Sequence, residues 1–148
     1  MDGKQDVGLT HIALMTSNPD ASIAFYHKYA AMEVVHRRID SETRRTVVWL
    51  SDRTRPFVIV LIETDKVEMP LRPFAHLGVG CPSRADVDRL CAQARRDGCL
   101  HSGPLDSGYP VGYWAFLADP DGNTLELSYG QDIGLTIESA SSSTASCR

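Results

Sequence analysis

Apolar and polar residues alternate along LTHIALMTS (Leu9–Ser17) and again along FAHLGVGCP (Phe74–Pro82). A period of two is the mark of a half-buried strand. Each stretch is followed by a run with helical spacing. NPDASIAFYHKYA offers Asn18 or Asp20 as N-cap and sets Ile23, Tyr26 and Ala30 on one face. SRADVDRLCAQARRDG opens with Ser83 and Asp86 spaced like a capping box, carries Val87, Leu90, Cys91 and Ala94 as its apolar stripe, and stops at Gly98. Further on, WLSDRTRPFVIV (Trp49–Val60) aligns with FLADPDGNTLEL (Phe116–Leu127) at an offset of 67, against 65 between His11 and His76. Each half of the chain thus reads strand, helix, then about three strands, a βαβββ module repeated. The modules span residues 7–68 and 72–132, joined through Pro70–Pro73, within one α+β domain over residues 1–135. Two helix stripes are expected to pack on one continuous sheet.

The alternation also sorts side chains by face. In the first strand His11, Ala13 and Met15 share a face opposite Ile12 and Leu14. In the strand that opens the second module, His76, Gly78 and Gly80 oppose Leu77 and Val79. In the last strand Thr124, Glu126 and Ser128 oppose Leu125 and Leu127. The large aliphatics are expected under the helices, so His11, His76 and Glu126 project from the other face beside small neighbours that leave room for a ligand. A lone strand histidine is ordinarily half-exposed or satisfied, and a lone strand glutamate is ordinarily solvated. Two histidines and one carboxylate at equivalent positions of repeated modules form a different pattern: the facial set that holds a metal and leaves positions open for water or substrate.

Composition narrows the classes. The chain has 148 residues, 43% apolar and 23% charged, the profile of a globular domain large enough to bury a core. A net charge of -4 and a pI near 5.7 argue against nucleic acid or an anionic membrane as partner. No apolar run has the length of a membrane span, and MDGKQDVG lacks the apolar core of a signal peptide, so a cytoplasmic location is expected. Cys81, Cys91, Cys99 and Cys147 have no metal-site or disulfide-framework spacing and read as reduced thiols. Residues 136–148, ending SASSSTASCR, read as a disordered tail.

Three stretches, "LTHIALMTSNPDASIAFYHKYAAMEVV", "FAHLGVGC" and "FLADPDGNTLELS", resemble the vicinal oxygen chelate superfamily. That superfamily includes glyoxalase I, fosfomycin resistance enzymes, extradiol dioxygenases, methylmalonyl-CoA epimerase and bleomycin-binding proteins. The resemblance covers roughly residues 7–132 and implies paired βαβββ modules forming a cupped, half-open β-barrel with helices outside, around a divalent metal. Carried over by position, the metal ligands are His11, His76 and Glu126, and the ion is Fe, Mn, Zn, Ni or Co. Glyoxalase I and several relatives have a fourth protein ligand, a Glu in the last strand of the first module. The repeat puts Ile59 or, after one insertion, Val60 there, neither a ligand, and Glu63 fills the role only if the register slips.

The resemblance further implies a small-molecule substrate and a homodimer, within which the site lies in one chain or across two. The expected chemistry is that of a metal-dependent lyase or isomerase, like lactoylglutathione lyase. The alternatives are an extradiol-type dioxygenase, weakened by the absence of histidine from PFVIVLIETDKVEMP, and a dimeric antibiotic- or metabolite-binding protein without catalysis. In SGYPVGYW (Ser107–Trp114), Tyr109, Tyr113 and Trp114 are candidates for the substrate wall, and Tyr113 and Tyr109 also for a catalytic role; a hairpin loop with packing aromatics explains them equally well. His36, Arg37 and Arg38 read as a solvated basic edge. DPDG is a turn that sets the register of the strand carrying Glu126.

Overall fold

The computed structural model describes residues 6–145. The elements follow the order β1 (His11–Thr16), α1 (Pro19–Ala30), β2 (Glu33–Ile39), β3 (Thr46–Ser51), β4 (Val58–Glu63), β5 (Leu77–Gly80), α2 (Arg84–Asp97), β6 (Leu100–Asp106), β7 (Tyr113–Ala118), β8 (Thr124–Tyr129) and α3 (Ile133–Ala145). The βαβββ repeat is present, but on two four-stranded sheets rather than one continuous sheet, and neither closes into a barrel. Each module completes its own sheet by pairing its first strand in parallel with its last, giving the orders β1-β4-β3-β2 and β5-β8-β7-β6. No described helix is long and apolar enough to cross a membrane. Residues 146–148 of the expected tail, Cys147 among them, lie outside the described residues.

The chain divides into two compact units. The first runs through His76 and includes the 118–124 turn. Its helix starts where the Asn18 side chain accepts the Ala21 N–H at 3.1 Å and Pro19 takes the first helical position. It ends at Ala31, whose φ of 51° is left-handed. Ser22, Phe25, Tyr26, Tyr29 and Ala30 form the buried stripe, so Tyr26 and Ala30 lie where the spacing predicts while Ile23 is half-buried. The helix packs on β2, β3 and β4, and Leu14, Val48, Leu50, Ile59 and Leu61 complete the core.

Asp119, only 5% exposed, anchors this unit. Its carboxylate accepts hydrogen bonds from the Tyr26 hydroxyl at 2.8 Å, the Asn123 N–H at 2.8 Å, the Asn123 side-chain amide at 2.9 Å and the Asp121 N–H at 2.9 Å. Asn123 Oδ1 in turn accepts the Leu71 N–H at 2.8 Å, and Asp121 accepts the Ser17 N–H and hydroxyl. The DPDG turn is thereby tied to α1, to the end of β1 and to the segment at Leu71.

In the second unit, α2 starts at Ser83, whose Oγ accepts the Asp86 N–H at 3.1 Å while its hydroxyl donates to the Asp86 carboxylate. Val87, Cys91 and Ala94 are its buried stripe, Leu90 is half-buried, and Gly98 caps it at a φ of 75°. Leu125 and Leu127 of β8 and Ala115 and Leu117 of β7 are fully buried. The Ser/Ala segment expected to lack structure is instead helical through Ala145. Alanine favours helix, and the Ser141 and Ser142 hydroxyls are satisfied locally by the carbonyls of Ile137 and Glu138.

Burial and the adjacent Asp119 charge push the Tyr26 hydroxyl pKa above its ordinary value. An unfolded tyrosine ionises near pH 10, so stability holds through neutral pH and falls once the pH rises above that, because only the unfolded state releases the proton. Tyr26→Phe should cost about 1–3 kcal/mol in urea unfolding at pH 7, since it takes one donor from a buried carboxylate. It should also flatten the decline between pH 9.5 and pH 11, roughly the window around the free tyrosine value.

Candidate functional site

The face assignment read from alternation holds in β1. Leu14 and Thr16 are buried, whereas His11, Ala13 and Met15 are exposed. His11 opens onto a cavity of about 600 Å³ lined also by Trp49, Val58, Val60, Arg53 and Arg55. The cavity lies on the face of the first sheet opposite α1. Trp49 is paired with Val60 on β4 and with His36 on β2, and the His36 and Trp49 rings are 5.0 Å apart. Nδ1 of His11 is 3.0 Å from the Thr10 hydroxyl.

Glu126 lies in the second unit. Glu126 is 7% exposed, between two leucines that are fully buried. Its sheet neighbour across β5 is Gly78, and a Cβ added at Gly78 or Gly80 would meet nothing within 4 Å. Open space thus lies beside the carboxylate. Gln131 donates its side-chain N–H to Glu126 Oε1 at 2.7 Å. It comes back onto Glu126 after Gly130, whose φ of 85° reverses the chain. Gln131 was not foreseen; the only signal in the sequence is a glycine followed by an amide just past the last strand.

His76 immediately precedes β5 and is exposed. Its Nδ1 is 2.6 Å from the Phe74 carbonyl oxygen, so in the neutral ring Nδ1–H donates and Nε2 carries the lone pair. Histidines that bind metals have this arrangement, with one nitrogen held by the protein and the other presented to the ion. Imidazole and carboxylate donors on faces with open space fit a divalent transition metal. Among the described residues of one chain, no group of three or more His, Cys, Asp or Glu side chains is gathered closely enough to hold one.

The register shows which residue of the first module is the counterpart of Glu126. Ala13 pairs with Val60 as Gly78 pairs with Glu126, so Val60 is the counterpart of Glu126. Glu63 pairs with Thr16, on the opposite face from His11 and three positions beyond Val60. Its carboxylate accepts the Thr46 N–H at 2.8 Å, and this bond, with Arg45 nearby, holds its pKa below the ordinary glutamate value.

The aromatic segment divides. The Tyr113 hydroxyl donates to Asp88 of α2, and the Arg84 guanidinium lies 4.1 Å from its ring centroid, itself paired with Asp106 at 2.8 Å. Tyr113 therefore points to the helix side of its sheet, together with buried Ala115 and Leu117. Trp114 takes the other face, where its ring lies 4.7 Å from Phe116 and its indole N–H donates to Ser107 at 2.9 Å. Tyr109 is 74% exposed in the loop before β7. Arg37 pairs with Asp20 and Arg38 with Asp40, both at the surface.

Comparison with known proteins agrees with this architecture. Residues 8–127 match the model of the Glyoxalase/Bleomycin resistance protein/Dioxygenase superfamily. The uncharacterized protein PA2024 of Pseudomonas aeruginosa is 39% identical over 129 residues, covering 85% of this chain and 91% of that one. The trypanothione-dependent glyoxalase I of Leishmania major superposes with a TM-score of 0.68 at 21% identity, covering 96% of this chain and 100% of that chain. A mutant of the fosfomycin resistance protein FosX from Listeria monocytogenes, solved with Mn(II) and 1S,2S-dihydroxypropylphosphonic acid, gives 0.69 at 16% identity, covering 90% and 99%. The two structures share the fold; the family match spans most of the chain, which belongs to the glyoxalase/bleomycin resistance/dioxygenase group, the vicinal oxygen chelate superfamily.

Proposed function

We propose that this protein is a cytoplasmic, homodimeric metalloenzyme that acts on a small oxygenated substrate, with His11, His76 and Glu126 as ligands of one divalent ion. The observation that carries the reading is the equivalence of Val60 and Glu126. Two modules of one design place a carboxylate at this position in one copy and an aliphatic side chain in the other. The outcome is a two-histidine, one-carboxylate set with positions left for substrate oxygens, rather than a four-ligand set. When bound, the ion would supply Lewis-acid stabilisation of developing negative charge on a substrate oxygen.

The protein's own residues do the rest. The Phe74 carbonyl fixes the His76 tautomer, Gln131 holds one oxygen of Glu126, and Trp49 and Val60 form the apolar wall beside His11. Lyase or isomerase chemistry is favoured over a dioxygenase, since PFVIVLIETDKVEMP carries no histidine for the dioxygenase acid/base role. The likeness to glyoxalase I and to a Mn(II)-bound FosX supports the same reading.

A second copy is supported by the exposed apolar surface of the first sheet. Val34, Val35, Trp49 and Met15 are each 40–43% exposed, and β2 is exposed along its whole length. The proposed site takes His11 from one copy and His76 with Glu126 from the other. Light scattering should give a particle of twice the 16.3 kDa chain mass.

Titration of metal-stripped protein with Mn(II) or Zn(II) should reach about one ion per chain. His76→Ala and Glu126→Gln should abolish that binding, Gln131→Leu should weaken it about 10–100-fold, and Glu63→Gln should leave it unchanged. Negligible affinity of the wild-type protein for divalent ions would overturn the metalloenzyme and favour a protein that only sequesters its ligand.

A further inference from the structure

The cavity beside His11 has a charged rim that the metal reading leaves without a task. The loop between β3 and β4 is held by its own hydrogen bonds. The Arg53 N–H donates to Ser51 Oγ at 3.0 Å, the Thr54 N–H to Asp52 at 2.9 Å, and the Phe57 N–H to the Arg55 carbonyl at 2.8 Å. This scaffold sets two arginines, Arg53 and Arg55, among the residues that line the cavity, with Asp6 as the one acidic residue there. The two arginines are not equivalent. Arg53 is paired with Glu33 at 3.0 Å, and Arg37, Arg38 and Arg45 of the same unit are also paired with carboxylates. Arg55 makes no side-chain hydrogen bond or ion pair with a described residue. The same lining includes the apolar Phe57, Val58, Val60 and Trp49 beside the polar Thr10 and Ser51.

From this we infer that the pocket takes a small organic oxyanion, a carboxylate or phosphonate on a compact apolar body, and that Arg55 is the group that reads its charge. A guanidinium offers two parallel N–H donors that match a carboxylate or phosphonate edge, and an apolar floor lowers the local dielectric and strengthens that bond. A cavity of about 600 Å³ suits a molecule of this size. With the anion at Arg55, the body lies on Trp49 and Val60 and its far end approaches His11. The inference rests on the His11 face being the substrate face, but not on a metal being bound there.

The test uses metal-free, full-length protein and three probes: 3-phenylpropionate, 2-phenylethylphosphonate and the neutral 3-phenylpropanamide. Binding is followed by calorimetry and by tryptophan fluorescence. Both anions should bind about 10–100-fold more tightly than the amide, the range expected for a charge-assisted hydrogen-bonded pair. Arg55→Gln should erase that preference and leave amide binding unchanged, Arg55→Lys should keep part of it, and Trp49→Phe should remove the fluorescence response. Equal affinity for acid and amide, a preference that survives in Arg55→Gln, or no binding of any probe would overturn the inference. Divalent-ion titration of Arg55→Gln, and anion binding by His76→Ala, separate the two readings. Ion binding that persists in Arg55→Gln without an anion preference in the wild type sinks only the anion pocket. Anion preference in His76→Ala together with no ion binding by the wild type sinks only the metal site.

Discussion

The Asp119 carboxylate is the constraint on which the first unit depends. Removed from water, it needs donors for both oxygens, and it finds four: the Tyr26 hydroxyl, two backbone N–H groups of its own turn and the Asn123 amide. A buried carboxylate with fewer partners would cost several kcal/mol in desolvation; with four, it fixes the turn in one conformation. That turn lies between β7 and β8 in sequence. In the second unit the β5–β8 register pairs Gly78 with Glu126, and that register sets the face on which Glu126 stands. A shift of one residue would turn Glu126 toward the helix side and bring a leucine to the open face.

The facing of His11 and Glu126 was legible in the sequence because period-two alternation is a local property. Leu14 on one side and Leu125 and Leu127 on the other are enough to orient His11 and Glu126 without knowledge of the sheet. The repeat was legible in its order of elements, and the register narrows the Ile59-or-Val60 alternative to Val60. What alternation could not give was pairing between distant strands. Parallel closure of each module on itself, β1 with β4 and β5 with β8, is set by pairings 47 and 48 residues apart in sequence, and it yields two sheets where one was expected. Tyr113 was foreseen as a site candidate because it lies in an aromatic-rich loop. Its partner Asp88 sits on a helix, and nothing local signals that bond. Gln131 and Arg55 went unnoticed for the same reason: each matters only through what folding brings beside it.

The proposed function follows from asymmetry between two similar halves. At the equivalent position of the two modules, one has Val60 in an apolar wall and the other has Glu126 held by Gln131. The first half carries His11 beside a cavity lined also by Arg53 and Arg55; the second carries Glu126. His76 is the residue before β5 in sequence, its tautomer set by the Phe74 carbonyl. A half-site with room and apolar surface, and a half-site with a held carboxylate, suit a division of labour between substrate binding and metal binding. That division is most useful when two copies bring unlike halves together.

The most direct measurement is metal binding by mixed dimers. His11→Ala and Glu126→Gln proteins, carrying different affinity tags, are unfolded together, refolded, and the doubly tagged hybrid is isolated. If the site takes His11 from one copy and His76 with Glu126 from the other, neither parent binds a divalent ion. The hybrid then regains a single intact site per dimer, assembled from the unmutated His11 of one chain and the unmutated Glu126 of the other. A hybrid that binds no ion while the wild type does would contradict the shared site. A parent that binds as tightly as the wild type would contradict the ligand assignment itself.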